Sequence, residues 1–216
     1  MTTPQASGTL GAVGAALHRG TAVVLPNPAP LTHVVAGTDP LAVNSAKGRP
    51  ADQPVALWAH HPATLTTLTG PLPLGPGVRR LLTEERVTLL LPLLADAPPW
   101  LAPATRDGWT MLFGARWAPV LPLLDPHPVL YVSSANRTGS PPAATTAEAH
   151  AMFPPEVPVL ALPDASPTPR AATTTLRLHP NGRLDLHRPG AQDRRFPSPG
   201  AYLDHVRTTY LGGPAV

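Results

Sequence analysis

The chain has 216 residues, of which 43% are hydrophobic, and its formal charge is only +3. It contains no cysteine, which excludes disulfides and thiol catalysis, and its 32 prolines follow no collagen-like repeat. No apolar run reaches the roughly 18 residues of a transmembrane helix, and the N-terminus lacks the basic segment of a signal peptide. We therefore expect a cytoplasmic protein without membrane contact, folded as a single domain over residues 1–216.

Helices and strands are predicted to alternate along most of the chain. Apolar residues at spacings of three and four predict an opening helix over 7–19, which Gly20 is expected to end. The elements predicted next are strand 21–25, a proline-rich loop 26–30, strand 32–36, helix 40–46, strand 54–59 and helices 63–68 and 77–85. These are followed by strand 87–91, a loop or short helix 96–105, strand 109–115, helix 120–124, strand 129–133, helix 145–152, strands 157–162, 173–178 and 183–186, and a closing helix over about 200–211.

This alternation indicates an α/β domain in which helices cover a sheet. The Asn181-Gly182 pair between the last two strands is a turn signal for an antiparallel hairpin, so we expect a mixed sheet. Ligands of such sheets bind in crevices at strand ends. The core of the domain is expected over about 9–192.

The segment 45–54 contains an unusual residue. Of the 16 lysine and arginine residues, Lys47 is the only lysine. Lysine offers phosphate a compact ammonium, whereas arginine offers a planar fork. Gly48 would let the backbone approach a ligand, and Arg49 would share a face with Lys47 if the segment is extended. Lys47 and Arg49 are therefore candidates for a small anion-binding site; the alternative is a solvated basic turn.

A second polar segment follows the predicted strand 129–133. Ser134 and Asn136 follow this largely apolar strand and precede a glycine turn. Hydroxyl, amide and backbone N–H groups at a strand end can hold phosphate oxygens or magnesium-bound water. The alternative is a turn that only caps the strand.

Together the two segments resemble the YrdC-like family of threonylcarbamoyl-AMP synthases. The matching pieces are, in order, K-x-R followed by Pro54, S-A-N-x-[ST]-G-x-P beginning at Ser134, a helix after Thr145, and Thr173-Thr174-Thr175 ahead of Arg188-Pro189-Gly190-Ala191. The resemblance extends over roughly residues 9–192.

The resemblance implies a twisted, mixed sheet flanked by helices around an open, positively lined cavity. It implies an enzyme that uses ATP with Mg²⁺, bicarbonate and L-threonine to form threonylcarbamoyl-AMP and pyrophosphate. Partner proteins would then transfer the threonylcarbamoyl group to an adenosine of tRNA. The catalytic residues implied are Lys47, Arg49, Ser134 and Asn136, and the same four would bind the nucleotide together with Arg116, Thr173 and Arg188. No metal ligands are assigned to the protein itself.

The sequence departs from the family in the segment that helps to hold threonine. The family has P-T-D-T-x-Y-G-L after its first strand, whereas this chain has Pro26-Asn27-Pro28-Ala29-Pro30-Leu31-Thr32-His33. Only the proline matches, and His33 is either a replacement acceptor or base or a structural histidine. Two alternatives stay open: a relative that uses another amine and adenylates a different carbamate or carboxylate, and a non-catalytic nucleotide- or RNA-binding module.

Overall fold

Helices and strands alternate in a computed structural model, which describes residues 9–163, 166 and 168–212. The helices are α1 (Leu10–His18), α2 (Pro40–Ala46), α3 (Pro62–Thr67), α4 (Pro76–Arg80), α5 (Leu121–Leu124), α6 (Thr146–Met152) and α7 (Pro199–Tyr210). The strands are β1 (Val23–Leu25), β2 (Val34–Gly37), β3 (Ala56–Trp58), β4 (Thr88–Pro92), β5 (Thr105–Arg106), β6 (Trp109–Phe113), β7 (Tyr131–Ser134), β8 (Thr175–Leu178) and β9 (Leu184–Arg188). Among the described residues, no helix has the length and apolar character needed to cross a membrane.

The order of elements confirms most of the sequence predictions, with three differences. The predicted strand 157–162 is wrong, because this stretch has only the isolated bridge positions Val159 and Leu160, of which Val159 pairs with Val24. The predicted helix 77–85 is interrupted, since α4 passes into a π-helical turn, Leu81–Glu85. Strand β5 was not predicted; it reaches β6 through a tight turn in which Asp107 has a φ of 51° and Gly108 a φ of 75°.

The chain groups into two compact units, each formed by two separate stretches. Unit 1 takes Met1–Val55 and Trp117–Ala172, and unit 2 takes Ala56–Arg116 and Thr173–Val216. In unit 1, β2 pairs with β1 on one side and with β7 on the other, both antiparallel. All residues of β1 and β2 are buried, so these strands belong to the core of unit 1. Strand β7, which leads into the polar segment, pairs with β2.

Unit 2 contains a mixed sheet in the order β3-β6-β4-β8-β9, with β5 paired to β6. The β3–β6 and β4–β8 pairs are parallel, whereas β4–β6 and β8–β9 are antiparallel. This arrangement confirms the predicted mixed sheet and the predicted closing hairpin. Leucines of the inner strands are buried, and Leu89, Leu91, Leu112 and Leu176 have no exposed surface.

Gly114 follows β6 at a point where only glycine fits. A Cβ atom added there would lie 2.0 Å from the carbonyl oxygen of Leu82, in the π-helical turn. We expect Gly114→Ala to lower the free energy of unfolding by about 1–3 kcal/mol, because two backbone segments would have to separate. Urea unfolding measures this effect. Gly70→Ala is the matched control, since a Cβ at residue 70 meets no atom within 4 Å; equal midpoints for both variants would contradict the expectation.

Candidate functional site

Lys47 lies at the C-terminal end of α2. The Asp39 side chain caps the start of this helix by accepting from the Leu41 backbone N–H (2.9 Å), and Pro40 occupies its first turn. The helix ends at Ala46, Lys47 is its C-cap, and Gly48 has a φ of +63°. Glycine adopts this left-handed conformation without steric strain, which allows the chain to turn directly after the lysine.

The Lys47 ammonium contacts the polar segment after β7. Its Nζ donates to the Ser134 carbonyl oxygen, to the Asn136 carbonyl oxygen (2.8 Å) and to Asn136 Oδ1 (2.9 Å). Ser134 Oγ donates to the same Oδ1 (2.6 Å). Lys47 thus meets residues 87 and 89 positions further along the chain. We refer to Lys47, Arg49, Ser134 and Asn136 as the anion clamp.

Arg49 brings a second cation to the same turn. Its Nε donates to Asn44 Oδ1 (2.5 Å), whereas its Nη2 is buried and has no hydrogen-bond partner in the described part of the chain. A buried donor without an acceptor costs about 1–3 kcal/mol. The position of Nη2 therefore suits a ligand oxygen, such as one from a phosphate.

Burial disfavours the charged forms of Lys47 and Arg49, because it removes water from around both cations. Lys47 is only 4% exposed, and desolvation together with the nearby Arg49 charge lowers its pKa to about 7. Desolvation also lowers the pKa of Arg49. The three oxygen acceptors around Nζ favour the ammonium form, but they carry only partial charge. A bound anion would favour both charged side chains much more strongly.

Asn44 organises the turn that carries the two cations, and its role was not predicted from the sequence. It is 1% exposed, and its Nδ2 donates to the carbonyl oxygens of Ala51 (2.8 Å) and Gln53 (2.9 Å). The backbone carbonyl oxygen of Asn44 accepts from the backbone N–H groups of Lys47 and Arg49 (3.1 Å each). The available sequence signal was weak, because an asparagine near a helix end is common.

Asn44→Ala is expected to loosen this turn. Loss of its buried side-chain hydrogen bonds should lower the free energy of unfolding by about 1–3 kcal/mol, and it should weaken the ATP binding that the family resemblance implies by about tenfold. Chemical unfolding and nucleotide titration measure the two effects. Asn181→Ala is the matched control, because Asn181 is exposed and its Oδ1 accepts from one turn N–H, that of Arg183 (3.1 Å). ATP affinity that is unchanged in Asn44→Ala would show that Asn44 does not position the clamp.

The three other predicted nucleotide residues belong to unit 2. Thr173 is buried, and its carbonyl oxygen accepts from Arg188 Nη2 at 3.5 Å. The segments around these two residues are also joined by Thr174 Oγ1, which donates to Asp193 Oδ1 (2.6 Å). Arg116 is exposed. The roles of Arg116, Thr173 and Arg188 toward a nucleotide stay predictions.

The altered loop 26–33 is stabilised by its own packing. Asn27 and Leu31 are each 2% exposed, and Asn27 Nδ2 donates to the Thr32 carbonyl oxygen (2.8 Å). Arg170 Nη1 donates to the carbonyl oxygens of Asn27 (2.9 Å) and Leu31. Asn27 and Leu31, which stand where the resembled family has a threonine and a tyrosine, are thus buried parts of the folded loop.

Comparisons with known proteins show a shared fold. No protein-family model and no curated protein matches the sequence. P. abyssi Sua5 complexed with L-threonine matches with a TM-score of 0.62 and 20% identity, over 84% of this chain and 55% of that chain. T. kodakarensis HypF matches with a TM-score of 0.63 and 17% identity, over 85% and 24%. E. coli YciO matches with a TM-score of 0.58 and 12% identity, over 84% and 88%.

The chain spans about half the length of the Sua5 chains and about a quarter of the T. kodakarensis HypF chain. At these identities the likeness is one of fold. It confirms the α/β fold predicted from the sequence.

Proposed function

We propose that this chain, which has a YrdC-like fold, binds ATP by its triphosphate at the anion clamp. The observation that carries the proposal is the contact of Lys47 with Ser134 and Asn136. The Lys47 ammonium, whose three N–H groups already meet oxygens of Ser134 and Asn136, would attract phosphate by its charge. Arg49 Nη2, which has no hydrogen-bond partner among the described residues, would donate to a phosphate oxygen.

The proposed reaction forms a carbamoyl-adenylate. An amine and bicarbonate first give a carbamate and water. A carbamate oxygen then attacks the α-phosphorus of ATP, a new O–P bond forms, and the bond to the bridging oxygen of pyrophosphate breaks, so that pyrophosphate leaves. L-Threonine is the first candidate amine, which gives L-threonylcarbamoyl-AMP for tRNA modification by partner proteins. The similarity of fold to P. abyssi Sua5, which was crystallised with L-threonine, supports an amino-acid substrate.

In this reaction the protein supplies position and charge rather than a covalent intermediate. Lys47 and Arg49 would stabilise the negative charge that develops on the leaving pyrophosphate. Within the described residues, no group of three or more His, Asp or Glu side chains could hold a metal ion. Mg²⁺ would enter with the triphosphate, because phosphates commonly supply several of its ligands.

A different amine is the second candidate, and the altered loop favours it. Asn27 and Leu31 are buried and hydrogen bonded or packed within the loop, so the family's threonine contacts are not reproduced at these positions. Substitution of either residue would disturb packing, which makes a screen of amines a cleaner test than mutation of the loop.

Pyrophosphate release from ATP, with Mg²⁺ and bicarbonate, tests the proposal. Release that depends on L-threonine supports threonylcarbamoyl-AMP synthesis, and release with another amine supports the second candidate. Binding of ATP without release for any amine would indicate a non-catalytic nucleotide-binding module. Failure to bind ATP, measured by competition with a fluorescent nucleotide, would rule out the clamp as a triphosphate site.

A further inference from the structure

Arg86 lies where the π-helical turn, Leu81–Glu85, passes into β4, and its backbone conformation is strained. Its φ of 60° and ψ of 37° place it in the left-handed region, which residues with a Cβ atom rarely adopt. Among the described residues other than glycine, only Arg86 and Asp107 have a positive φ. Asp107 belongs to a tight turn, and aspartate tolerates this conformation better than arginine does. Strained residues of this kind cluster at ligand-binding and active sites.

The conformation of Arg86 is held by neighbouring segments of unit 2. The buried Gln192 donates from Nε2 to the Arg86 carbonyl oxygen (2.9 Å), and its Oε1 accepts from the Thr174 backbone N–H (2.7 Å). The next residue is fixed as well, because the Val87 carbonyl oxygen accepts from the Gly114 N–H (3.0 Å). These contacts fix the direction in which the Arg86 side chain leaves the backbone.

The Arg86 side chain has no anionic partner among the described residues. Its Nε is buried and without a hydrogen-bond partner there, and the guanidinium forms no ion pair with them. The two acidic residues just before it are engaged elsewhere, since Glu84 pairs with Arg80 (3.0 Å) and the buried Glu85 pairs with Arg195. A buried N–H without an acceptor is unfavourable, and so is a partly buried cation without an anion. A ligand oxygen at Nε would remove both costs.

Other groups that suit phosphate lie at the same end of the sheet in unit 2. Because β4 and β8 pair in parallel, they begin side by side, and Thr88 Oγ1 lies 2.7 Å from Thr173 Oγ1. Arg188 reaches this end too, since its Nη2 donates to the Thr173 carbonyl oxygen (3.5 Å). The Asp193 carboxylate accepts from Thr174 Oγ1 (2.6 Å). These residues offer hydroxyl and guanidinium donors, a set typical of phosphate contacts.

We propose that Arg86 binds an oxygen of a phosphate group on a ligand of unit 2. Arg86 is not part of the anion clamp, and the family resemblance implies no role for it. Guanidinium groups bind phosphate through charge-assisted hydrogen bonds, and the buried Nε–H would be one of the donors. A binding role explains why an arginine occupies a position where glycine would fit without strain. The proposal does not depend on ATP being a substrate, because a nucleotide and free pyrophosphate both carry such a group.

The test follows the arginine Nε–H signals of the full ¹⁵N-labelled chain by nuclear magnetic resonance. The Arg86 signal is assigned by its loss in Arg86→Lys. We expect this signal to shift saturably with inorganic pyrophosphate and with ATP, and sodium chloride at equal ionic strength should leave it in place. A shift with ATP alone would identify the phosphate as that of a nucleotide. No shift with either compound, or an equal shift with sodium chloride, would overturn the proposal.

Two glycine substitutions separate ligand binding from backbone strain. Arg86→Gly should raise the urea midpoint, because glycine adopts this φ without strain, and weaken pyrophosphate binding by about tenfold. Asp107→Gly is the matched control, since it relieves the other strained position and should leave binding unchanged. Arg86→Lys keeps the charge without the Nε–H and should lose part of the affinity. Unchanged affinity in Arg86→Gly would refute the proposal; a fall in both affinity and urea midpoint would assign Arg86 a structural role instead.

Discussion

Replacement of Lys47 with alanine is expected to reduce pyrophosphate release by about two to three orders of magnitude. Removal of one preorganised donor from a site that stabilises developing negative charge typically costs about 10²–10³ in rate. Here the substitution also leaves the carbonyl oxygens of Ser134 and Asn136, and Asn136 Oδ1, without the donor that they share. A continuous pyrophosphate assay measures the loss, and a cooperative thermal transition shows that the variant is folded.

Two further variants separate charge from shape. Lys47→Arg keeps the positive charge, but a planar guanidinium cannot place one nitrogen where three oxygens converge, so we expect a loss of about tenfold or more. Arg106→Ala is the charge control, because Arg106 is exposed on β5 and belongs to unit 2, and its activity should equal that of the parent chain. Full activity in Lys47→Ala would show that the clamp assignment is wrong.

The helix that positions Lys47 was predictable because its signals are local. Asp39 and Pro40 start α2, and Gly48 turns the chain after it, so the predicted and observed bounds of α2 coincide. The predicted strand 157–162 failed because strand formation depends on a partner. The bridge of Val159 to Val24 does not extend into a ladder there, and Pro158 has no N–H to donate to one.

The candidate site was only partly predictable, for the same physical reason. The isolated lysine and the Ser134–Asn136 segment stand out in the sequence, and the family resemblance indicated that they meet. Asn44 could not be identified, because its role arises from contacts with backbone groups of the following turn. The Arg49 Nη2 donor, which lacks a hydrogen-bond partner among the described residues, is likewise a consequence of burial, and no spacing pattern in the sequence reveals it.

ATP affinity is expected to fall as the pH rises above neutrality. The pKa of Lys47 in the free protein is about 7, lowered from 10.5 by desolvation and by the Arg49 charge. Because the ammonium form binds phosphate, ATP binding above pH 7 must take up a proton. Each further pH unit should therefore weaken binding by up to about tenfold, until the higher pKa of the ATP-bound state is reached. Titration from pH 7.5 upward keeps the terminal phosphate largely ionised, since the last pKa of a phosphate monoester is about 6.

The lowered pKa of Lys47 affects the stability of the free protein in the opposite direction: ATP affinity falls as the pH rises, whereas stability increases. Between the folded pKa of about 7 and the unfolded value of 10.5, the unfolded chain binds more protons at this lysine. The contribution of Lys47 to the free energy of unfolding should thus increase with pH across that window. A comparison of urea unfolding at pH 7 and pH 9.5 for the parent chain and Lys47→Met isolates this contribution.

The chain's single lysine allows the titration to be observed directly. Protein labelled with ¹³C-lysine should give one side-chain signal, with a midpoint near pH 7 that moves upward when ATP is added. In Lys47→Arg the side chain stays charged throughout this range, so the fall of ATP affinity with pH should largely disappear. An unchanged pH slope in Lys47→Arg would assign the linked proton to another group, and an unshifted lysine signal in the presence of bound ATP would place the triphosphate elsewhere.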